Sequence, residues 1–203
     1  MCEGTQKSDA DVKPVTVFLC DLRTVEPQPQ FFSPQEIERA QRYSGSRRHV
    51  FMRSRTVLRK ILAEILGIAP NALRIGTDPE GKPKVKTERQ LHISHSHAGD
   101  YSAIAVSIRM PVGVDIEQVR PDIDQDAIAS ALFSSHERAA LEAGSDFFEL
   151  WTRKEAATKL MPEVARHYWT ARPFPDYVLS LASPAPANVD VLSLPKGSEI
   201  DAR

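Results

Sequence analysis

The sequence predicts an α+β fold. Apolar runs of strand length occur in both halves of the chain, and amphipathic helices lie among them without the regular alternation that builds a parallel sheet. The length agrees: 203 residues, 41% of them hydrophobic, suffice for one sizeable core or for two small halves sharing one.

The elements follow in order. Residues 1–14 are polar, carry both charge signs and read as a disordered tail. Val15 to Leu22, VTVFLCDL, reads as a buried strand, and Pro27 and Pro29 mark a loop. Ser33-Pro34-Gln35-Glu36 starts a helix that runs to about Tyr43: Ser33 caps, Pro34 suits the first helical position and Glu36 completes a capping box. The longest helix runs from about Arg47 to Leu66, with Phe51, Ser54, Leu58, Ile61, Leu62 and Ile65 on one face. Gly67 ends it and Pro70 forbids its return.

Leu73 to Thr77 reads as a short strand and Asp78-Pro79-Glu80-Gly81 as a turn. Leu91 to Ser94, Ser102 to Ile108 and Val112 to Glu117 read as strands. Helices follow near 123–132, 135–143 and 147–160, the second with a capping box of Ser134 and Glu137. A last strand is read at Tyr177 to Ala182, then a tail over 195–203. The expected division is a first half over 15–111, a second over 112–194, and the two tails.

No apolar run approaches the roughly 18 residues of a membrane-spanning helix. Met1 to Pro14 lacks an apolar region, so a secretory signal is not expected and the cytoplasm is. Two cysteines, Cys2 and Cys20, are too few for a disulfide scaffold; Cys20 is expected reduced and packed in its strand. The net charge is −1, yet eight basic residues and no acid fall between Arg39 and Lys60. Arg48, Arg55 and Arg59 form a stripe beside the apolar face of the long helix. It reads either as snorkelling arginines or as an anion site at the edge of the core.

Val112-Gly113-Val114-Asp115-Ile116-Glu117 places Asp115 and Glu117 on one strand face, about 6–7 Å apart. Such a pair is also found on plain solvent-facing strands. It equally suits a hard divalent cation such as Mg²⁺, and Gly113 leaves the same face open. In the helix 147–160, Phe148, Trp151, Glu155 and Lys159 share one face. Glu155 is then a candidate third metal ligand, and Lys159 a partner for phosphates. His92, His95 and His97, read as alternate positions of one strand, share a face and look like a zinc site, although zinc needs a further ligand. Ser94 with His95 reads better as a donor pair for a phosphate. Glu80-Gly81-Lys82-Pro83-Lys84 is a lysine-bearing turn, weak alone. Together these parts are equipment for phosphoryl transfer, where positioning and charge neutralisation carry most of the catalysis.

The order of these motifs resembles the Sfp-type 4′-phosphopantetheinyl transferases. The carrying residues are Arg55-Thr56-Val57-Leu58-Arg59, Gly81-Lys82-Pro83, Ile93-Ser94-His95-Ser96, Gly113-Val114-Asp115-Ile116-Glu117 and Trp151-Thr152-Arg153-Lys154-Glu155-Ala156 with Lys159. They span roughly 15–183. The resemblance implies a pseudo-dimeric α+β fold with coenzyme A in the cleft between two similar halves. It implies transfer of phosphopantetheine from coenzyme A to a serine of an apo acyl or peptidyl carrier protein, leaving adenosine 3′,5′-bisphosphate.

By the same resemblance, Asp115, Glu117 and Glu155 hold Mg²⁺, Glu155 is the base for the carrier serine, and Lys159 assists the leaving phosphate. Ser94 and His95 meet coenzyme A phosphates, and Gly81, Lys82 and Pro83 the nucleotide end; Arg55 adds a basic contact. A monomer is expected, with no nucleic-acid or membrane partner; no interleaved aromatic platform is read in the basic segment.

The chain departs from the family pattern in two places. Relatives usually continue K-x-x-G-x-G-L and then a strand; here Lys159 is followed by Leu-Met-Pro-Glu-Val-Ala-Arg, and Tyr177 comes only 18 positions on. Pro162 should stop the helix, and a loop and a strand of the second half are expected to be missing. That leaves, as an alternative, a relative that binds coenzyme A or a carrier without efficient transfer. His92 stands where relatives often have Asn.

Overall fold

The computed structural model describes residues 13–77, 83–88 and 90–194. The first sheet is built on β1 (Lys13–Asp21), so Lys13 and Pro14, expected in a tail, are strand residues. β4 (His92–Ala98) and β5 (Tyr101–Ser107) form an antiparallel hairpin, and β5 pairs antiparallel with β1. The other edge of β1 takes β9 (Ala187–Ser193) in parallel, giving the order β4-β5-β1-β9. No strand was read over β9: its sequence, ANVDVLS, is mostly exposed and carries only a weak alternation.

α1 (Pro34–Gln41) starts with the capping box of Ser33 and Glu36. α2 (Gly45–Leu66) ends at Gly67, whose φ of 66° is left-handed and free of strain for glycine. Alternation along β1 explains how one strand serves two layers. Phe18, Cys20 and Leu22 pack on Val57, Leu58, Ile61 and Leu62 of α2. Val15, Val17 and Leu19 face the other way, into a core shared with Val114, Ile116, Leu179 and Leu181 of the second sheet. Cys20 is free and buried, and burial pushes its thiol up to about 12. β2 (Ile75–Thr77) and β3 (Pro83–Val85) form a small separate hairpin. The turn between them, with Gly81 and Lys82, lies outside the described residues, as do 1–12 and 195–203.

The second sheet has the order β6-β8-β7, all pairs antiparallel, from β6 (Gly113–Gln118), β7 (His167–Phe174) and β8 (Tyr177–Ser183). The interval expected to be too short for a strand therefore holds eight residues of β7. The helix α5 (Phe147–Leu160) ends at Met161, φ 113°, and the chain turns at once into the new strand. Pro162 stops the helix as expected, and stopping it there is what leaves room for β7. α3 (Gln125–Leu132) and α4 (Ser135–Glu142), the latter with its Ser134–Glu137 capping box, cover the outer side with Phe133, Phe147 and Phe148 in a small satellite core.

The arginine stripe is neither snorkelling nor a surface site at Arg59. Its side chain is fully buried, donating from Nε to Glu36 Oε2 at 2.8 Å and from Nη1 to the Pro70 and Leu73 carbonyls at 2.6 and 3.2 Å. The same Glu36 oxygen accepts from the Ser33 amide at 2.8 Å. One carboxylate thus caps α1 and neutralises a buried arginine of α2.

Candidate active site

Gly113 sets the geometry of the site. A Cβ built there would lie 2.0 Å from the Ala156 carbonyl oxygen and 2.7 Å from the Leu160 amide, both backbone. The face that the sequence leaves open beside Asp115 is filled by α5 itself. Only glycine lets the helix lie this close to β6, and that approach carries Glu155 and Lys159 over the β6 carboxylates.

Lys159 Nζ donates to Asp115 Oδ1 at 2.7 Å and to Ser96 Oγ at 2.7 Å. The Ser96 hydroxyl in turn donates to Asp115 Oδ1 at 2.7 Å. Ser94 Oγ accepts from the Val114 amide at 2.9 Å, so the two serines of β4 stitch the edge of the first sheet to β6. Ser96 stands in the Ile93-Ser94-His95-Ser96 motif but was given no role of its own. Its signal was there: it sits two positions beyond Ser94, on the same strand face.

Burial pushes the Glu117 carboxyl up to about 7, and the Asp115 and Glu155 charges add to the rise. Glu155 is raised by burial and then by Asp115. Burial also raises Asp115, against the pull of Lys159. Burial raises all three acids, and the Asp115 charge adds to the rise at Glu117 and Glu155, so the site is short of positive charge. Asp115 Oδ2 is buried and has no hydrogen-bond partner among the described residues, which fits a metal-ligating oxygen. No group of three or more His, Cys, Asp or Glu among the described residues is closed into a metal cage, so the carboxylates are neighbours and not a formed coordination shell.

The histidines do not make a zinc site. Strand parity separates them: His95 and His97 share one face, rings 6.2 Å apart, while His92 falls with Ser94 and Ser96 and contacts Gln90. Parity also separates the expected donor pair, because Ser94 faces β6 and His95 faces α2. His95 Nε2 meets Ser54 Oγ of α2 at 2.8 Å and Ser102 Oγ of β5 at 2.9 Å. Its half-buried ring is held well below the ordinary value, first by desolvation and then by the nearby charge of Arg55.

Arg55 pairs with Glu36 at 3.3 Å and lies 5.6 Å over the Phe51 ring. Aromatic residues do interleave with the arginines here. Arg39 lies over Phe51 at 5.7 Å, Arg47 over Tyr43 at 4.7 Å, and the two rings are 5.3 Å apart. The four-residue spacing of 39, 43, 47, 51 and 55 carried that signal. Arg39 and Arg55 also line a cavity of about 840 Å³ between α1 and the β2–β3 hairpin, with Arg74 and Lys86 on its other wall. None of Asp115, Glu117, Glu155 and Lys159 lines it. Pro83, at the start of β3, is the described end of the expected nucleotide-binding turn.

Residues 25–109 match a model described as 4′-phosphopantetheinyl transferase, N-terminal, and residues 111–192 match one described as the 4′-phosphopantetheinyl transferase superfamily. Among curated proteins, the 4′-phosphopantetheinyl transferase HetI of Nostoc is 32% identical over 137 residues, 63% of this chain and 58% of the relative. The 4′-phosphopantetheinyl transferase AcpT of Escherichia coli is 33% identical over 127 residues, 60% of this chain and 62% of the relative. The 4′-phosphopantetheinyl transferase psf-1 of Bacillus pumilus is 36% identical over 110 residues, 51% of this chain and 46% of the relative. Each match spans less than two thirds of the relative's own length. The two models abut near residue 110 and between them take in the histidine strand, the β6 carboxylates and Lys159; the chain belongs to the 4′-phosphopantetheinyl transferase superfamily.

Proposed function

We propose that the protein transfers 4′-phosphopantetheine from coenzyme A to a serine of an apo acyl or peptidyl carrier protein, releasing adenosine 3′,5′-bisphosphate. The observation that carries this reading is the meeting of Lys159, Asp115 and Ser96, beside two further acids, Glu117 and Glu155, each raised by burial and then by the Asp115 charge.

The chemistry follows from these side chains. The serine oxygen attacks the β-phosphorus of coenzyme A, and the bond from that phosphorus to the oxygen bridging to the α-phosphate breaks. Glu155 takes the serine proton; its raised basicity suits that role. Lys159 donates to the oxygen of the departing phosphate, where negative charge grows. Asp115 Oδ2, Glu117 and Glu155 are the oxygens suited to Mg²⁺, which when bound neutralises the pyrophosphate. The cavity walled by Arg39, Arg55, Arg74 and Lys86 suits the anionic nucleotide end, for which the resemblance also implies Gly81, Lys82 and Pro83. His95 is assigned a coenzyme A phosphate, and Ser94 acts through the backbone of β6.

The order of elements supports a pseudo-dimeric reading. In each half a first strand, β1 or β6, pairs antiparallel with the second strand of a later hairpin, and a long helix packs on the sheet. The two hairpin ends meet: Tyr101 at the start of β5 and Tyr177 at the start of β8 have rings 4.8 Å apart. The alternative, a relative without efficient transfer, rested on a missing strand, and β7 removes that support.

The test is to incubate the full chain with coenzyme A, Mg²⁺ and a panel of apo carriers drawn from fatty-acid, polyketide and peptide synthesis, and weigh the carriers. Wild type should add one phosphopantetheinyl group per carrier, and Glu155→Gln or Asp115→Asn should abolish most of it while melting cooperatively. No transfer to any carrier, or full rates in both variants, would overturn the reading.

A further inference from the structure

Ser54 is 3% exposed and Ser102 is not exposed at all, yet both hydroxyls converge on one ring nitrogen of His95. The three groups come from α2, β4 and β5. Burying two hydroxyls beside a half-buried imidazole is costly unless they satisfy one another, and an apolar residue at 54 would pack against the sheet without that cost. The cluster therefore needs a reason beyond packing. Arg55 and Lys159 place positive charge around the ring, and burial also keeps it neutral. A neutral imidazole adds no further cation; it adds a directed hydrogen bond. With Nε2 engaged twice, Nδ1 is the ring nitrogen without a hydrogen bond among the described residues.

We propose that Ser54 is a positioning residue for the coenzyme A phosphate: together with Ser102 it engages Nε2 of His95, fixes the ring, and leaves Nδ1 as the nitrogen that meets a phosphate oxygen. This rests on the assignment of His95 to a coenzyme A phosphate. Ser54 itself touches no substrate. It acts across the contact between α2 and β4, and so couples the basic helix to the edge strand of the site.

The experiment is a double-mutant cycle on the full chain with Ser54→Ala, His95→Ala and the pair. The readouts are KM for coenzyme A against kcat in carrier modification, and Kd for coenzyme A by calorimetry. Losing one hydrogen bond of orientation should raise KM and Kd by about 3- to 10-fold with kcat within about twofold. The same substitution should add no further loss when residue 95 is already alanine. An equal loss in the His95→Ala background, or unchanged KM and Kd in Ser54→Ala, overturns the proposal.

The parent assignment has its own reading. If His95→Ala binds coenzyme A as wild type does, the phosphate role of His95 falls, and the positioning role with it. If His95→Ala loses binding but Ser54→Ala does not, the positioning role alone falls. Should His95→Ala fail to fold, long-range ¹H–¹⁵N spectra of Ser54→Ala decide. A changed tautomer balance at His95 supports the proposal, and ring shifts identical to wild type overturn it.

Discussion

Lys159 Nζ lies 2.7 Å from Asp115 Oδ1, across the contact between α5 and β6, and the pair is bridged by the Ser96 hydroxyl. Asp115 is nearly fully buried and the Lys159 side chain only partly so, which leaves the lysine reachable from solvent. Removing the amine with Lys159→Ala should lower kcat by about 100-fold or more while moving the coenzyme A dissociation constant far less, because a donor at developing charge acts in the transition state. Steady-state kinetics beside calorimetry checks this; a pure rise in KM at unchanged kcat would count against it.

Gly113→Ala should damage both stability and activity. The added methyl meets backbone 2.0 Å away, and backbone cannot rotate aside. The expected cost is about 1–3 kcal/mol of overpacking, with α5 displaced from β6 and transfer lost beyond what the melting temperature explains. Gly76→Ala is the control for stability alone, since the nearest atom there is 3.9 Å away; Gly76 lines the Arg55 cavity, so only its melting is compared. Equal behaviour of the two variants in thermal melts would refute the packing argument.

Arg59→Ala should be among the most damaging substitutions outside the site. It leaves the buried Glu36 with only the Ser33 amide and Arg55 among the described residues, and takes the guanidinium away from the Pro70 and Leu73 carbonyls. The expected loss is about 3–5 kcal/mol, as for a buried pair broken on one side. Chemical denaturation checks it. Lys60→Ala, next along α2 and exposed, should change stability by less than about 0.5 kcal/mol.

Acid should destabilise the fold through His95. Its folded-state value lies well below the ordinary 6.5, so as pH falls through 6.5 the unfolded chain takes up a proton that the folded chain refuses. Stability is then fully present above 6.5 and declines by about 1.4 kcal/mol per pH unit below it, until the folded ring also protonates. Denaturation midpoints at pH 7.5 and 5.5, compared between wild type and His95→Asn, should show a shallower slope in the variant. An unchanged slope would remove His95 as the source.

The local rules of the chain were legible without its fold. Both capping boxes, the glycine end of α2, the span of α5 and the alternation that puts Asp115 and Glu117 on one face are written in short segments, because they depend on neighbours within one turn or one strand. Four things were decided only by tertiary structure. β9 is a strand because the open edge of β1 offers it hydrogen bonds, not because ANVDVLS favours one. β7 forms in an interval that looked too short because α5 ends sharply at Met161. Arg59 is buried because Glu36, 23 positions earlier, is brought against it by the packing of α1 on α2. Ser96 and Ser54 join the site because parity and packing aim one at β6 and the other at β4. A sequence records which residues share a face; which face meets which is settled by the close approach of α5 to β6 that Gly113 allows.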